Sequence, residues 1–170
     1  MDISETISTL RAIRSFDGRP LPDDVLAVIL EAGRRAPSSM NEQRWAFVVC
    51  TDREHLRELA TIGDYAEHIA GAAAAVALVA PEAEEDWRRE SIAFDLGQCA
   101  QNMMVAAWSM GVGSVHAAVY DENRTRELLE YPEGWRCDYV LSFGYPARAP
   151  TTRGGRKALD ELVHRERWGA

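Results

Sequence analysis

No stretch of this chain is apolar for long enough to cross a bilayer. A membrane helix needs about 18 or more consecutive apolar residues, and the longest apolar run, 69–80 ("IAGAAAAVALVA"), stops short and is mostly alanine. The opening "MDISETISTL" lacks the basic start and apolar centre of a secretion signal. Cysteine is scarce: Cys50, Cys99 and Cys137 are an odd number with no close pair. That argues against a disulfide framework or a zinc knuckle. Net positive charge is also missing. A balance of −8 at pH 7 disfavours general binding to nucleic acid or anionic membrane. Together these absences predict a soluble protein of the reducing cytoplasm.

The standard catalytic signatures are absent too. The chain has no G-x-S-x-G elbow, no phosphate-binding P-loop, no H-E-x-x-H and no G-x-G-x-x-G. "GVGSVHA" (111–117) carries two glycines but lacks the third. It also precedes a strand, where a dinucleotide fingerprint follows one. His55, His68, His116 and His164 are scattered without ligand spacing, so no metal site is expected. His116 alone falls inside an apolar strand pattern, and a satisfied structural histidine is the expectation there. The cysteines sit in apolar segments and read as small core residues.

What is present describes one domain over residues 1–170, with 46% apolar and 27% charged residues, enough to bury a core. A first helix is expected over 3–10. A clearer one lies in "LPDDVLAVILEAGRRA", opened by Pro22, Asp23 and Asp24 and closed by Arg34, Arg35 and Pro37. "WAFVVC" (45–50) reads as a strand, followed by a helix at 53–60 and a buried strand in "VALVA" (76–80). The longest helix, 86–109, is apolar around so much of its circumference that it is expected to be central. Its polar stripe, Asp95, Gln98 and Asn102, is expected to satisfy neighbouring backbone. A strand within 111–119, a helix at 121–129 capped by Asp121, a strand at 137–146 and a last helix at 156–164 complete the chain. Strands and helices intermix without a regular βαβ beat, so the fold class is α+β.

Two basic islands interrupt the acidic background. "LRAIRSFDGRP" (10–20) holds Arg11, Arg14 and Arg19 against Asp17, and "PARAPTTRGGRKA" (146–158) holds Arg148, Arg153, Arg156 and Lys157. Such islands are either solvated loops or sites for a phosphate or carboxylate. Between the second helix and the first strand, "APSSMNEQRW" (36–45) sets Ser, Asn and Gln in one loop. With no acid, base, nucleophile or metal evident, the chain reads as a binding protein or as an enzyme whose reactive atoms belong to a cofactor. The Arg islands and the Ser/Asn/Gln loop favour the second, because an anionic tail and a flat heterocycle need those residue types.

These segments resemble a known family. "LRAIRSF" followed by "APSSMNEQRW" is similar to the opening of the nitroreductase family of FMN-dependent oxidoreductases, where Arg-x-x-Arg precedes A-P-S-x-x-N-x-Q-P-W. "DLGQCAQNMMVAAWSMGVGS", "LSFGYPA" and "RGGRKALDELVHRERWG" resemble its central helix, late strand and Arg-containing tail, in that order. The resemblance implies a central mixed or antiparallel sheet flanked by helices, and an interlocked homodimer with FMN at the interface. It implies that Arg11 and Arg14, with the Ala12 and Ile13 backbone, hold the FMN phosphate and ribityl chain. Arg156 and Arg153 would close on that phosphate from the tail. Pro37, Ser38, Ser39 and Asn41 would reach the flavin from the other subunit, and amides near Ala117 and Ala118 would face the ring. The implied reaction takes hydride from NADH or NADPH to flavin N5 and on to a nitroaromatic, quinone or similar planar acceptor by ping-pong, with His116 a candidate substrate contact. Its rivals are a flavin oxidase or dehydrogenase of the same fold, and a flavin-binding protein without turnover. Leu10, Ala12 and Arg44 depart from the family pattern, at positions where Arg, Ser and Pro are common.

Overall fold

A computed structural model describes residues 2–149 and 155–169. Its frame is an antiparallel sheet of β1 (Ala46–Cys50), β2 (Ala74–Pro81), β3 (Gly113–Ala118) and β4 (Trp135–Gly144), in the order β1-β2-β4-β3. Helices α1 (Ile3–Thr9), α2 (Asp23–Arg34), α3 (Arg53–Leu59), α4 (Asp86–Ser109) and α5 (Glu122–Leu129) flank it. The protein is therefore α+β, as the element order implied.

β2 is central, and its sequence shows why. A strand covered on both faces reads as a continuous apolar run, and residues 74–80 are all buried. Alternation sends Val76, Leu78 and Ala80 to one face, where they pack with Ile29 of α2 and Leu96 and Met103 of α4. Ala75, Ala77 and Val79 go to the other, against Leu56 and Leu59 of α3 and Leu129 of α5. A register shift falls between Leu78 and Val79. All three cysteines are buried. Burial pushes the thiols of Cys99 and Cys137 up to about 12, so both stay protonated and act as apolar core groups.

Residues 10–17 run extended across one end of the sheet. Ala12 bridges Ser114 in parallel and Phe16 bridges Pro146. The Ile13 amide donates to Ser114 O at 3.0 Å and the Asp17 amide to Tyr145 O at 2.9 Å. Two glycines permit this close approach. A Cβ on Gly113 would stand 2.7 Å from Ile13 Cβ, and one on Gly144 would stand 2.8 Å from the Phe16 ring. Ile13 is thereby buried while Arg14 beside it faces solvent.

Two expectations need correction. The 156–164 helix is only a short 3-10 turn, Leu159–Glu161. Leu159, Leu162 and Val163 are exposed, so no packed apolar face stabilises a longer helix there. α4 is not enclosed on all sides either: it buries one stripe, Ile92, Leu96, Cys99, Met103 and Ala107, while Phe94 is 71% exposed. On its second apolar face Met104 and Val105 are half-buried, and Trp108 is buried, its Nε1 donating to Thr9 Oγ1 at the end of α1.

The Gly113 contact sets a stability prediction. Gly113→Ala should cost about 1–3 kcal/mol by overpacking against the stiff Ile13, measured by urea unfolding. Adding Ile13→Ala should recover part of the loss, giving non-additive energies.

Candidate functional site at the open edge of β3

β3 is an edge strand, and its outer side is clamped at two places. At one end Ser114 O accepts from Ile13. At the other, the Tyr120 and Asp121 amides donate to Ile62 O at 2.9 and 3.0 Å. Between the clamps, strand alternation decides which peptides face outward. The Val119 amide donates to Asp138 O of β4, so odd-numbered peptides turn inward. Ser114 and Tyr120 turn outward, and the Ala118 carbonyl lies 3.0 Å from where a Cβ on Gly63 would stand. The His116 and Ala118 peptides therefore face the open edge, and that of Ala117 faces β4. Of the two amides the family resemblance pointed to, only Ala118 is directed outward; His116 joins it.

A cleft of about 440 Å³ occupies this edge, lined by Arg14, Asp64, Tyr65, Glu67, His68 and His116. His116 is exposed, not the satisfied core histidine expected from its apolar strand. β3 is an edge strand, so its alternate side chains need not meet a covering layer. The His116 ring meets Tyr139 edge-on, with centroids 5.8 Å apart. Past His116, an apolar slot of about 380 Å³ opens between α4 and the sheet, walled by Leu96, Gly97, Ala100, Met104, Tyr139 and Leu141. A polar cleft thus continues into an apolar one, with His116 at the junction.

His68 is the residue that sequence reasoning missed. It lies on a short 3-10 turn, Glu67–Gly71, and is only 8% exposed. Its Nδ1 is 2.8 Å from Ser142 Oγ, and Nε2 finds no partner among the described residues. Burial, then the charges of Arg14 and His116, pull its pKa down to about 4. The signal was faint: "YAEHIAG" has no ligand spacing, and the partner Ser142 lies 74 residues away.

Arg14, exposed between the buried Ile13 and the β3 edge, makes no hydrogen bond or ion pair among the described residues. Arg11 is turned the other way. Its Nη1 donates to Ser8 O at 2.9 Å and Leu10 O at 2.7 Å, capping the end of α1. Ala12 and Ile13 supply backbone at the first clamp. Arg156 is exposed on the C-terminal segment, and Arg153 lies outside the described residues.

Pro37, Ser38, Ser39 and Asn41 are not brought to this cleft. They precede β1, at the opposite edge of the sheet from β3. Their loop is nonetheless fixed: the Ser39 amide donates to Asp95 of α4 at 3.1 Å, and Ser38 Oγ accepts from the Gln43 amide at 3.0 Å. Met40, Asn41 and Gln43 all have positive φ, a strained run that tertiary contacts must hold. Arg44 pairs with Glu42, which neutralises the charge that replaces the family proline. Asn102 donates to Ala32 O at 3.2 Å, so Asp95 and Asn102 bind backbone as expected.

Comparison with known proteins gives the family and the fold. The model of the nitroreductase family matches residues 7–86 and 62–145. The chain belongs to the nitroreductase family. A relative from Methanothermobacter thermautotrophicus, provisionally named NADH dehydrogenase/NAD(P)H nitroreductase, is 32% identical over 99% of this chain and 88% of its own. Among solved structures, an NADPH:FMN oxidoreductase from Vibrio harveyi, complexed with NAD+, superposes with a TM-score of 0.89 at 28% identity, over 99% of this chain and 78% of that one. Nitroreductase A from Vibrio parahaemolyticus gives 0.90 at 27% identity, over 100% and 78%.

The depressed His68 pKa sets a pH dependence. Between pH 6.5 and about 4, the unfolded chain takes up a proton at this residue that the folded chain refuses. Stability should therefore fall as pH drops through that window, by on the order of 2–3 kcal/mol from His68 alone. Urea unfolding at pH 7 and pH 4.5 should show a larger loss for wild type than for His68→Gln.

Proposed function

We propose that this protein is an FMN-dependent oxidoreductase that carries reducing equivalents from NAD(P)H to a small planar acceptor, such as a nitroaromatic or a quinone, and that it works as a homodimer. Its family membership makes the chain an NAD(P)H-dependent oxidoreductase. The observation that carries the cofactor is the open edge of β3: outward His116 and Ala118 peptides, with the exposed cation Arg14 and the unpartnered Nε2 of His68 on the cleft beside them. These groups fit a flat heterocycle with donors and acceptors on its rim. When bound, FMN supplies a centre that accepts hydride from a nicotinamide and returns it to a second substrate, so the two half-reactions can share one place.

What this chain contributes is binding, orientation and field. The outward peptides of β3 would hold the heterocycle with fixed N–H dipoles, which favour negative charge on a group beside them. Arg14 adds a positive charge on the same side. The slot beyond His116, walled mostly by apolar side chains such as Leu96, Met104 and Tyr139, suits a planar acceptor. Arg11 and Arg156, with Arg153 outside the described residues, are the proposed phosphate ligands. Arg11 Nη1 is engaged with carbonyls, and the other nitrogens of its fork are the ones a phosphate would take.

The dimer reading rests on separation. Ser38, Ser39 and Asn41 lie at the far edge of the sheet from Arg14, so only a second copy can bring them to the same ligand. Phe94 on α4 and Leu159, Leu162 and Trp168 on the C-terminal segment are exposed. These are the apolar surfaces a second copy would cover.

The test is an absorbance spectrum of the purified protein with FMN, before and after anaerobic NADH or NADPH. Bound flavin that bleaches supports the reading; bound flavin that stays yellow puts oxidative chemistry ahead; no binding overturns it. Arg11→Ala should loosen FMN about ten-fold or more, from charge-assisted bonds of roughly 1.5–3 kcal/mol, read by fluorescence titration. His116→Ala should leave FMN bound and raise KM for the acceptor, read by steady-state kinetics.

A further inference from the structure

Arg53 breaks a local rule. It opens α3, where the positive end of the helix dipole disfavours a cation. The neighbouring carboxylate is engaged elsewhere: Asp52 Oδ1 accepts the Glu54 and His55 amides at 3.0 and 2.8 Å and caps the helix. A side chain set against its own helix's preference is held there by tertiary contacts. Those contacts are two backbone carbonyls. Nη1 donates to Ala72 O at 2.8 Å and Nη2 to Gly18 O at 2.7 Å. Ala72 is fully buried, so its carbonyl needs a partner from the protein. Gly18 has a φ of 82°, a left-handed conformation that glycine adopts without strain.

The two carbonyls end the segments that wall the cleft. Gly18 follows the strap of residues 10–17, which carries Arg14. Ala72 closes the 3-10 turn Glu67–Gly71, which carries His68. Each segment hangs separately from the end of β4. The strap does so through the Asp17 amide on Tyr145 O and the Ala147 amide on Ser15 O, the turn through the Ala73 amide on Phe143 O at 2.8 Å. Among the described residues no hydrogen bond runs directly from strap to turn, and Arg53 joins them. A planar guanidinium suits this task, because its two outer nitrogens diverge at a fixed spacing and set the spacing of what they hold.

We propose that Arg53 is a positioning residue for the oxidoreductase site: its forked guanidinium fixes the strap against the turn, and through them the separation of Arg14 from His68. Arg53 itself is not part of the cleft lining. The inference rests on the cofactor reading above and adds to it a residue that acts from outside the cleft.

Arg53→Met keeps an apolar stem and removes the fork. FMN binding, followed by flavin fluorescence, should weaken about ten-fold. In an Arg14→Ala background, where one of the groups being placed is gone, the same substitution should weaken binding by less than about three-fold. A role in general stability alone would give no such coupling. FMN affinity equal to that of wild type, or a loss undiminished in the Arg14→Ala background, would overturn the proposal and leave the cofactor reading intact. Hydrogen exchange in the flavin-free protein reads the staple directly. In Arg53→Met the Asp17 and Ala73 amides should exchange about ten-fold faster than in wild type, with the β2 amides of Val76 and Leu78 unchanged. Unchanged exchange at Asp17 and Ala73, or equal acceleration in β2, would overturn the proposal. If wild type binds no FMN, the cofactor reading falls, and the exchange result alone then supports or overturns the staple. Should Arg53→Met not fold, Arg53→Lys, which keeps the charge but offers one nitrogen in place of two, is measured by the same criteria.

Discussion

The outer edge of β3 is the constraint on which the rest of the site depends. An edge strand carries a row of peptide groups that must be paired, solvated or given to a ligand. Here the row is closed at both ends, by Ile13 on Ser114 and by Ile62 beneath Tyr120 and Asp121, and left open only at His116 and Ala118. The gap is a consequence of packing. Ile13 and Phe16 are pulled in over Gly113 and Gly144, which fixes the first clamp and leaves Arg14 facing out beside the opening. The second clamp comes from the turn that also carries Tyr65 and leads to His68.

The charge distribution reinforces that gap. Arg19 pairs with Asp17, Arg34 and Arg35 with Glu31, Arg126 with Glu82 and Glu122, and Arg136 with Asp138. Most of these pairs are solvent-exposed and contribute little to stability. Their effect is to occupy cations that would otherwise crowd the surface. Arg14 stands apart from them, at the cleft and beside a histidine that its charge helps keep neutral. A fixed cation next to a neutral imidazole with one unpartnered nitrogen gives the cleft two unlike polar groups side by side. That pattern discriminates among ligands more sharply than either group alone.

The loop before β1 poses the complementary problem. Three positive-φ residues other than glycine in four positions, Met40, Asn41 and Gln43, hold a shape that needs support. Asp95, only 8% exposed, gives it by accepting the Ser39 amide from α4. Met40 is 86% exposed and makes no use of the shape within its own chain. A preorganised, outward-facing loop at one edge and an open strand edge at the other are the two surfaces that the proposed homodimer would bring together.

The sequence by itself determined the secondary elements and much of their order. The unbroken apolar run of β2 marked a strand buried on both faces, Asp121 and the acids after Pro22 marked helix starts, and the three-and-four spacing on α4 marked its buried stripe. These are local signals, set by side-chain period and end chemistry. The Arg-x-x-Arg and Ser/Asn/Gln segments also announced the family. Only the tertiary structure decided what the polar residues do. Whether His116 is covered depends on β3 being an edge, which strand order fixes and no local pattern encodes. Whether His68 is a donor or an acceptor depends on Ser142, 74 residues away. Arg11 and Arg14, three residues apart and alike in sequence, part company because burial of Ile13 sends one to the end of α1 and the other to the cleft. The 156–164 helix failed for the same reason in reverse: its apolar residues meet no partner surface in one chain, and periodicity without burial does not hold a helix.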